Sequence, residues 1–324
     1  MTKAIRIHQH GGPEQLTWDD VDIGDPGPGQ ARIRQTACGL NYIDVYHRTG
    51  LYPLGELPLV IGMEAAGVVE AVGDGVTDLK AGERVAYGNT MGGYAEARVI
   101  PAEKLVKLPD SIDDQTAAAM MLKGMTAGYL IRRTYPVKAG DNILLMAAAG
   151  GVGLILSQWA SSLGANVIGC VGSEEKAALA KAHGCAHTIL YNTEDVAARV
   201  REITGGEGVA VSYDGVGQAT YKASLDSLRP FGYMVSFGNA SGPVSSVEVG
   251  DLASRGCLFF TRPSLMPHTA TRPLLEDLAG ALMEVVGNGT VKIDVNQTYA
   301  LSDTEQAHRD LEARKTTGCT VLLP

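Results

Sequence analysis

The chain has 324 residues, 45% of them apolar and 19% charged, with 40 glycines and a net charge of −9. That length suggests about two domains with a sizeable core, and the composition excludes a disordered chain. The negative balance removes a global basic footprint for nucleic acid, and no apolar run approaches the roughly 20 residues needed to span a bilayer.

The N-terminus, Met1-Thr2-Lys3-Ala4-Ile5-Arg6, leads into strand-like residues without an apolar signal core, so a cytoplasmic location is expected. Residues 1 to about 110 read as β-rich. Ala31 to Ala37, Gly67 to Val72 and Glu83 to Tyr87 alternate at period two, with Gly, Pro and Asp clusters between them. Short strands at this spacing predict a barrel or sandwich. A helix follows Pro109-Asp110, with Ser111 as its expected N-cap, and runs to about Arg133.

From Asn142 the rhythm changes to strict alternation. Strands are predicted at Asn142 to Ala147, Asn166 to Val171, Thr188 to Tyr191, Val209 to Tyr213 and Tyr233 to Phe237, with helices between them. A sixth strand is expected at Cys257 to Thr261. The pattern predicts an α/β fold, a doubly wound parallel sheet. The tail holds a helix from Thr271 to Gly287, another near Glu305 to Ala313, and the apolar strand Thr320 to Leu323. It is too short for a domain and is expected to return to the N-terminal one.

The first of these strands runs into Ala148-Ala149-Gly150-Gly151-Val152-Gly153 and then a helix. Strand, glycine loop and helix together form a cradle for a dinucleotide pyrophosphate at a helix N-terminus. Ala148 stands where the first glycine of the usual motif lies. Gly150, Gly151 and Val152 are the expected contacts. The second strand ends at Gly172-Ser173, followed by Lys176, where an NAD site normally has an acid. A hydroxyl and an ammonium suit a 2′-phosphate, so NADPH is favoured over NADH.

These residues, with Gly39-Leu40-Asn41-Tyr42-Ile43-Asp44, Arg48-Thr49-Gly50-Leu51-Tyr52-Pro53, Ile61-Gly62-Met63-Glu64-Ala65-Ala66-Gly67, Ser236-Phe237-Gly238-Asn239-Ala240-Ser241-Gly242 and Thr261-Arg262-Pro263-Ser264-Leu265, resemble the quinone oxidoreductase (zeta-crystallin-like) family. That family belongs to the medium-chain dehydrogenase/reductase superfamily. The resemblance covers essentially the whole chain and is closest to bacterial NADPH:quinone reductases. It implies a GroES-like catalytic domain (1–123, returning at 266–324) around a Rossmann domain (124–265), with the active site in the cleft between them. It also implies a homodimer joined through the Rossmann sheets. By the same resemblance, Asn41, Tyr42, Ile43, Asp44, Val45 and Tyr129 lie near the nicotinamide. Lys176 and Tyr191 hold the 2′-phosphate end. Val216, Phe237, Gly238, Asn239, Ala240, Pro263, Ser264 and Leu265 complete the cofactor site.

Zinc alcohol dehydrogenases of this superfamily carry Cys at the position of Asn41 and His at that of Met63, and an amide and a thioether do not replace those ligands. The five cysteines include no C-x-x-C pair, so neither a disulfide framework nor a structural zinc ribbon is expected. His183-Gly184-Cys185-Ala186-His187 is read as a helix end rather than a metal cluster.

The expected acceptor is a quinone or another electron-poor small molecule. Asn41, Tyr46 and Tyr52 are the candidate acceptor pocket, with Asn41 as a hydrogen-bond donor to a carbonyl. Lys123 is expected to cap or snorkel, Asp214 to serve a turn or helix cap, and His47 to lie on the surface. An enone or enal C=C reductase and a non-catalytic NADPH-binding, crystallin-like protein are the alternatives.

Overall fold

Burial alternates along the strand Gln30–Leu40, placing Ala31, Ile33 and Ala37 inside. Such a period-two face needs a partner layer. A computed structural model describes residues 1–324 and shows how that face is covered. The chain opens with β1 (Thr2–Ile7), β2 (Thr17–Val21), β3 (Gln30–Leu40) and helix α1 (Tyr42–Thr49). Then come β4 (Leu59–Val60), β5 (Glu64–Val72), β6 (Arg84–Gly88), β7 (Ala97–Pro101), β8 (Val106–Lys107) and α2 (Asp114–Tyr129).

Alternation of strand and helix follows: β9 (Asn142–Met146), α3 (Gly151–Ser162), β10 (Asn166–Val171), α4 (Glu174–Ala182), β11 (Cys185–Leu190) and α5 (Val196–Ile203). It continues through β12 (Val209–Asp214), α6 (Tyr221–Asp226), β13 (Leu228–Ser236), α7 (Val249–Ser254), β14 (Phe259–Thr261) and α8 (Leu265–His268). The chain closes with α9 (Arg272–Gly287), β15 (Val295–Ala300), α10 (Thr304–Glu312) and β16 (Cys319–Leu323).

Two units result. The first comprises Met1–Met125, His268–Gly287 and Ile293–Pro324. Its larger sheet has the order β15-β16-β3-β5-β6-β8, with β7 also paired to β3, and β2-β1-β4 form a smaller sheet. The C-terminal strand β16 pairs antiparallel with β3, Thr320 opposite Leu40. The tail therefore completes the sheet that the N-terminal strands begin. Its core gathers Ile5, Ile7, Ile33, Ile61, Tyr87, Tyr94 and Ile100, all nearly inaccessible.

The second unit comprises Thr126–Pro267 and Asn288–Lys292. Its six strands lie in the order β11-β10-β9-β12-β13-β14, all parallel. That is third-second-first-fourth-fifth-sixth in order of appearance, the Rossmann arrangement. No helix is long and apolar enough to cross a membrane.

Two local expectations change. Ser111 does not cap α2, because Ile112 closes a turn onto Pro109 and Asp113 takes the cap two residues later. The Asp113 carboxylate accepts from the Thr116 N–H and hydroxyl, each at 2.8 Å, a stronger acceptor than a serine oxygen. At its other end the helix passes into a π-helical turn, Leu130–Thr134.

The tail also does not belong wholly to the first unit. The Gln158 amide donates to Lys292 O at 3.0 Å and accepts from Lys292 N at 2.9 Å, tying Asn288–Lys292 to α3. Gln158→Leu is expected to speed amide exchange at Lys292 about tenfold, the loss of one net hydrogen bond. An unchanged rate would mean this pairing does not hold the segment.

Candidate active site

The glycine loop is shaped by three steric facts. Ala147 has a φ of +56°, and the Gly150 N–H returns to Ala147 O at 2.9 Å, so the chain turns sharply after β9. A Cβ on Gly153 would lie 2.5 Å from the carbonyl oxygens of both Ala147 and Ala148; only glycine lets α3 start this close to the strand. The side chain of Ala148, where the motif lacks its first glycine, is fully buried. A Cβ on Gly169 in β10 would come within 2.7 Å of that methyl. A glycine on the neighbouring strand thus makes the room that the motif lost. Gly150 caps α3 without a side-chain hydrogen bond, leaving the first-turn N–H groups of Gly151 and Val152 for an anion.

At the end of β10, Ser173 caps α4 by accepting from the Lys176 N–H at 3.3 Å. A Cβ on Gly172 would meet the Tyr191 hydroxyl at 2.7 Å, so Tyr191 lies directly over the strand end. The structure brings Gly172, Ser173, Lys176 and Tyr191 together, and adds Asn192. The Asn192 amide donates to Gly172 O at 2.9 Å and fixes this turn. Sequence reasoning missed Asn192; its adjacency to Tyr191 was the available signal.

The next two strand ends are joined through Asp214, which is fully buried. Its carboxylate accepts from the N–H groups of Val216 (2.8 Å) and Gly217 (3.0 Å) and from the hydroxyls of Thr220 and Ser224. The turn-and-cap expectation for Asp214 holds. Phe237 N donates to Asp214 O at 2.8 Å, and Ala240 N to Gly215 O at 3.4 Å. A Cβ on Gly238 would lie 2.3 Å from Gly215 O. Val216 and Phe237 to Ala240 therefore sit side by side beyond the carboxyl ends of parallel strands, where open α/β sheets bind ligands. Pro263, Ser264 and Leu265 follow β14, and Tyr129 is buried at the end of α2.

In the first unit, α1 carries Tyr42 and Tyr46, and Tyr52 follows the helix. The Tyr46 and Tyr52 rings lie 5.0 Å apart, and Tyr42 and Tyr46 5.5 Å. His47 joins them at 6.1 Å from Tyr52. It is not a surface residue: only 7% is exposed, and Nδ1 has no partner. Burial pulls its pKa down to about 4. Asn41 precedes α1 and is buried as well. Its amide donates to Glu64 Oε2 at 2.8 Å and to Gly39 O at 3.3 Å. Both amide hydrogens are engaged within the protein, so the donation to an acceptor carbonyl expected of Asn41 requires giving up one of these bonds.

Lys123 is also corrected. It does not snorkel: its ammonium is buried and pairs with Glu64 Oε2 at 3.0 Å. The Leu122 N–H donates to the other Glu64 oxygen at 2.7 Å.

Asp44 Oδ2 accepts from Asn41 N (2.9 Å) and from the Tyr94 hydroxyl (2.7 Å), while Oδ1 has no partner. Burial pushes the Asp44 pKa up to about 7 against these two donors. Beyond Tyr94, His308 Nε2 lies 3.3 Å from its hydroxyl, and Arg48 lies 3.3 Å from His308 Nδ1. Because arginine only donates, Nδ1 must accept and Nε2 must carry the proton. Burial and then Arg48 lower the His308 pKa to about 3.

Residues 27–110 match the family described as alcohol dehydrogenase GroES-like domain, and residues 151–277 that described as zinc-binding dehydrogenase. A quinone oxidoreductase of Pseudomonas aeruginosa is 50% identical, covering 100% of both chains. The 2-haloacrylate reductase of a Burkholderia species is 48% identical, covering 100% of this chain and 99% of that one. The crystal structure of Escherichia coli quinone oxidoreductase complexed with NADPH superposes with a TM-score of 0.97 at 45% identity, covering 99% of this chain and 100% of that one.

The chain belongs to the quinone oxidoreductase family of the medium-chain dehydrogenase/reductase superfamily. It is an oxidoreductase. The zinc in one domain's description does not fit this family member's residues. Around Glu64 stand an amide and an ammonium, and neither is a zinc donor.

The Asp44–His308 network makes a pH prediction. A raised Asp44 pKa contributes stability that is present below about 3.8 and lost as pH rises through about 7. A lowered His308 pKa contributes stability that is present above about 6.5 and lost as pH falls toward about 3. Denaturant melts of Asp44→Asn should therefore gain on the wild type between pH 4 and pH 7. A difference independent of pH would show that Asp44 does not titrate there.

Proposed function

We propose that this protein reduces quinones with NADPH and does so without zinc. The observation that carries the reading is the set of strand ends in the parallel sheet. There the glycine cradle and the Gly172, Ser173, Lys176 and Tyr191 cluster stand on neighbouring strands. The residues fit the cofactor. Gly153 lets α3 start close against the strand, and the first turn of α3 offers its N–H groups to a pyrophosphate. At the far end a lysine, a hydroxyl cap and a tyrosine stand where an NAD site has an acid. NADPH supplies the hydride. Val216, Phe237 to Ala240, Tyr129 and Pro263 to Leu265 are proposed as the remaining cofactor contacts of this unit. Tyr46 and Tyr52 are proposed as the aromatic wall against which a flat acceptor stacks.

A second reading has support of its own. The 2-haloacrylate reductase, at 48% identity, lies between the Pseudomonas aeruginosa quinone oxidoreductase at 50% and that of Escherichia coli at 45%, so an activated C=C bond is the alternative acceptor. An NADPH oxidation screen with quinones, enones and 2-haloacrylates, run with and without a chelator, separates the two. Quinone turnover unaffected by the chelator is expected. Turnover of the acrylates alone would replace the quinone reading.

Lys176→Ala is expected to raise KM for NADPH roughly tenfold or more while changing KM for NADH little, since a buried or shielded ionic hydrogen bond is worth about 1.5–3 kcal/mol. Equal effects on the two cofactors would remove Lys176 from the phosphate site.

We further propose a homodimer formed at the β14 edge. Phe259 on this edge strand is half exposed, and Phe231 is 67% exposed. Phe259 stacks on Tyr233 at 4.7 Å. An open edge flanked by aromatic surface favours pairing with a second copy. Light scattering of Phe259→Lys should show a shift from dimer to monomer; a monomeric wild type would end this proposal. The five cysteines are all unpaired, four of them buried, which favours a reducing compartment, the cytoplasm.

A further inference from the structure

Lys123 is a buried cation with more donors than partners. An ammonium has three N–H donors, and Glu64 is the one hydrogen-bond partner of this one. A buried ammonium with N–H donors beyond its pairing with Glu64 can receive a further acceptor. Burial works against the charge. Glu64, with Cys319 and Asp44, outweighs it and lifts the pKa, so Lys123 stays cationic at neutral pH.

The position of the ammonium is fixed from several sides. Glu64 Oε2 receives both Lys123 and Asn41, so the two donors can be no farther apart than those two bonds allow. Glu64 is itself held by the Leu122 N–H. A Cβ on Gly39 would lie 2.3 Å from Glu64 Oε2 and 2.2 Å from Ala118 O, so no other side chain fits between strand and helix. Asn41 leads directly into α1, which carries Tyr46. The amide at Asn41 has no hydrogen left to give, whereas the ammonium beside it has two.

Reduction of a quinone creates a charge that needs such a group. Two electrons and one proton from NADPH convert the quinone to its hydroquinone monoanion and leave NADP⁺. A second proton, from water, completes the hydroquinone. Negative charge therefore develops on one acceptor oxygen in the step that precedes this protonation. A fixed, preorganised cation in a dry site stabilises such an oxygen strongly.

We propose that the Lys123 ammonium is the catalytic group that binds the acceptor's oxygen and stabilises its developing anion, held in place by Glu64. This rests on the quinone reading above. It assigns to a lysine the electrophilic role that Asn41 was expected to take.

The test uses the full-length protein with two readouts. Lys123→Met alone would strand the Glu64 charge, so the variant is E64Q/K123M, which removes both charges. Its kcat/KM for a quinone is expected to fall about hundredfold, as when an oxyanion donor is lost. NADPH affinity, read by fluorescence titration, should stay near wild type, and circular dichroism should report a folded protein, whatever the melting temperature loses with the Glu64 lock. The loss should be larger for weakly electrophilic quinones than for strong ones, which a packing defect would not produce.

The second readout needs no turnover. 4-Nitrophenol is titrated spectroscopically on the protein; its bound pKa should be depressed in the wild type and return toward the aqueous value in E64Q/K123M. Wild-type kcat/KM in the folded double variant overturns the proposal, as does a nitrophenol pKa equal in both proteins. If the double variant does not fold, an undepressed nitrophenol pKa on the wild type overturns it alone. Depressed nitrophenol without quinone turnover would instead uphold the oxyanion site and sink the quinone reading.

Discussion

The Glu64 carboxylate organises the first unit. It is wholly inaccessible to solvent and receives three donors, from the Leu122 backbone, the Asn41 amide and the Lys123 ammonium. Burying an ion pair costs several kcal/mol per ion unless the hydrogen bonding is complete, and removing one partner typically costs about 3–5 kcal/mol more. For the carboxylate the bonding is met from three sides. The result locks the start of β5, the residue before α1 and the middle of α2 into one geometry. The aromatic residues of α1 inherit their position from that lock.

A second chain of polar contacts carries the constraint to the return segment. Arg48 on α1 is almost fully buried, donates to Gly11 O and His308 Nδ1, and pairs with Glu312. His308 and Glu312 belong to α10, more than two hundred residues later in the chain. Through Tyr94 the same network reaches Asp44 and the N–H of Asn41. Tail and N-terminal segment are thus joined by buried hydrogen bonds as well as by the β3–β16 pairing. Leaving such groups unmatched would cost each its desolvation, which specifies one arrangement of the tail.

The second unit is held by sterics more than by charge. Its loop conformations follow from places where a Cβ has no room: Gly153 against two carbonyls, Gly172 under a tyrosine hydroxyl, Gly238 against Gly215. Asp214 is the polar counterpart, closing the turn after β12 with four donors. Each strand end is fixed by its own local device, so the residues proposed to hold the cofactor are positioned by the sheet register.

Local pattern was enough to identify the second unit. Strict strand–helix alternation determined a parallel sheet, and a glycine loop between strand and helix determined the cradle, because both depend on neighbours within a few residues. The absence of an acid at Gly172–Ser173 gave the cofactor preference for the same reason. Element ends were less legible: Asp113 displaced Ser111 as a cap, since a carboxylate outcompetes a hydroxyl two residues away. What only the tertiary structure decided lies in the first unit. Asn41 and Lys123 lie 23 and 59 residues from Glu64 along the chain, and His47 carries no sequence mark of burial. A lysine in a helix reads as solvated until folding removes the water around it. The side chains themselves are in the sequence, but their desolvation, and hence their chemistry, exists only where distant segments close over them.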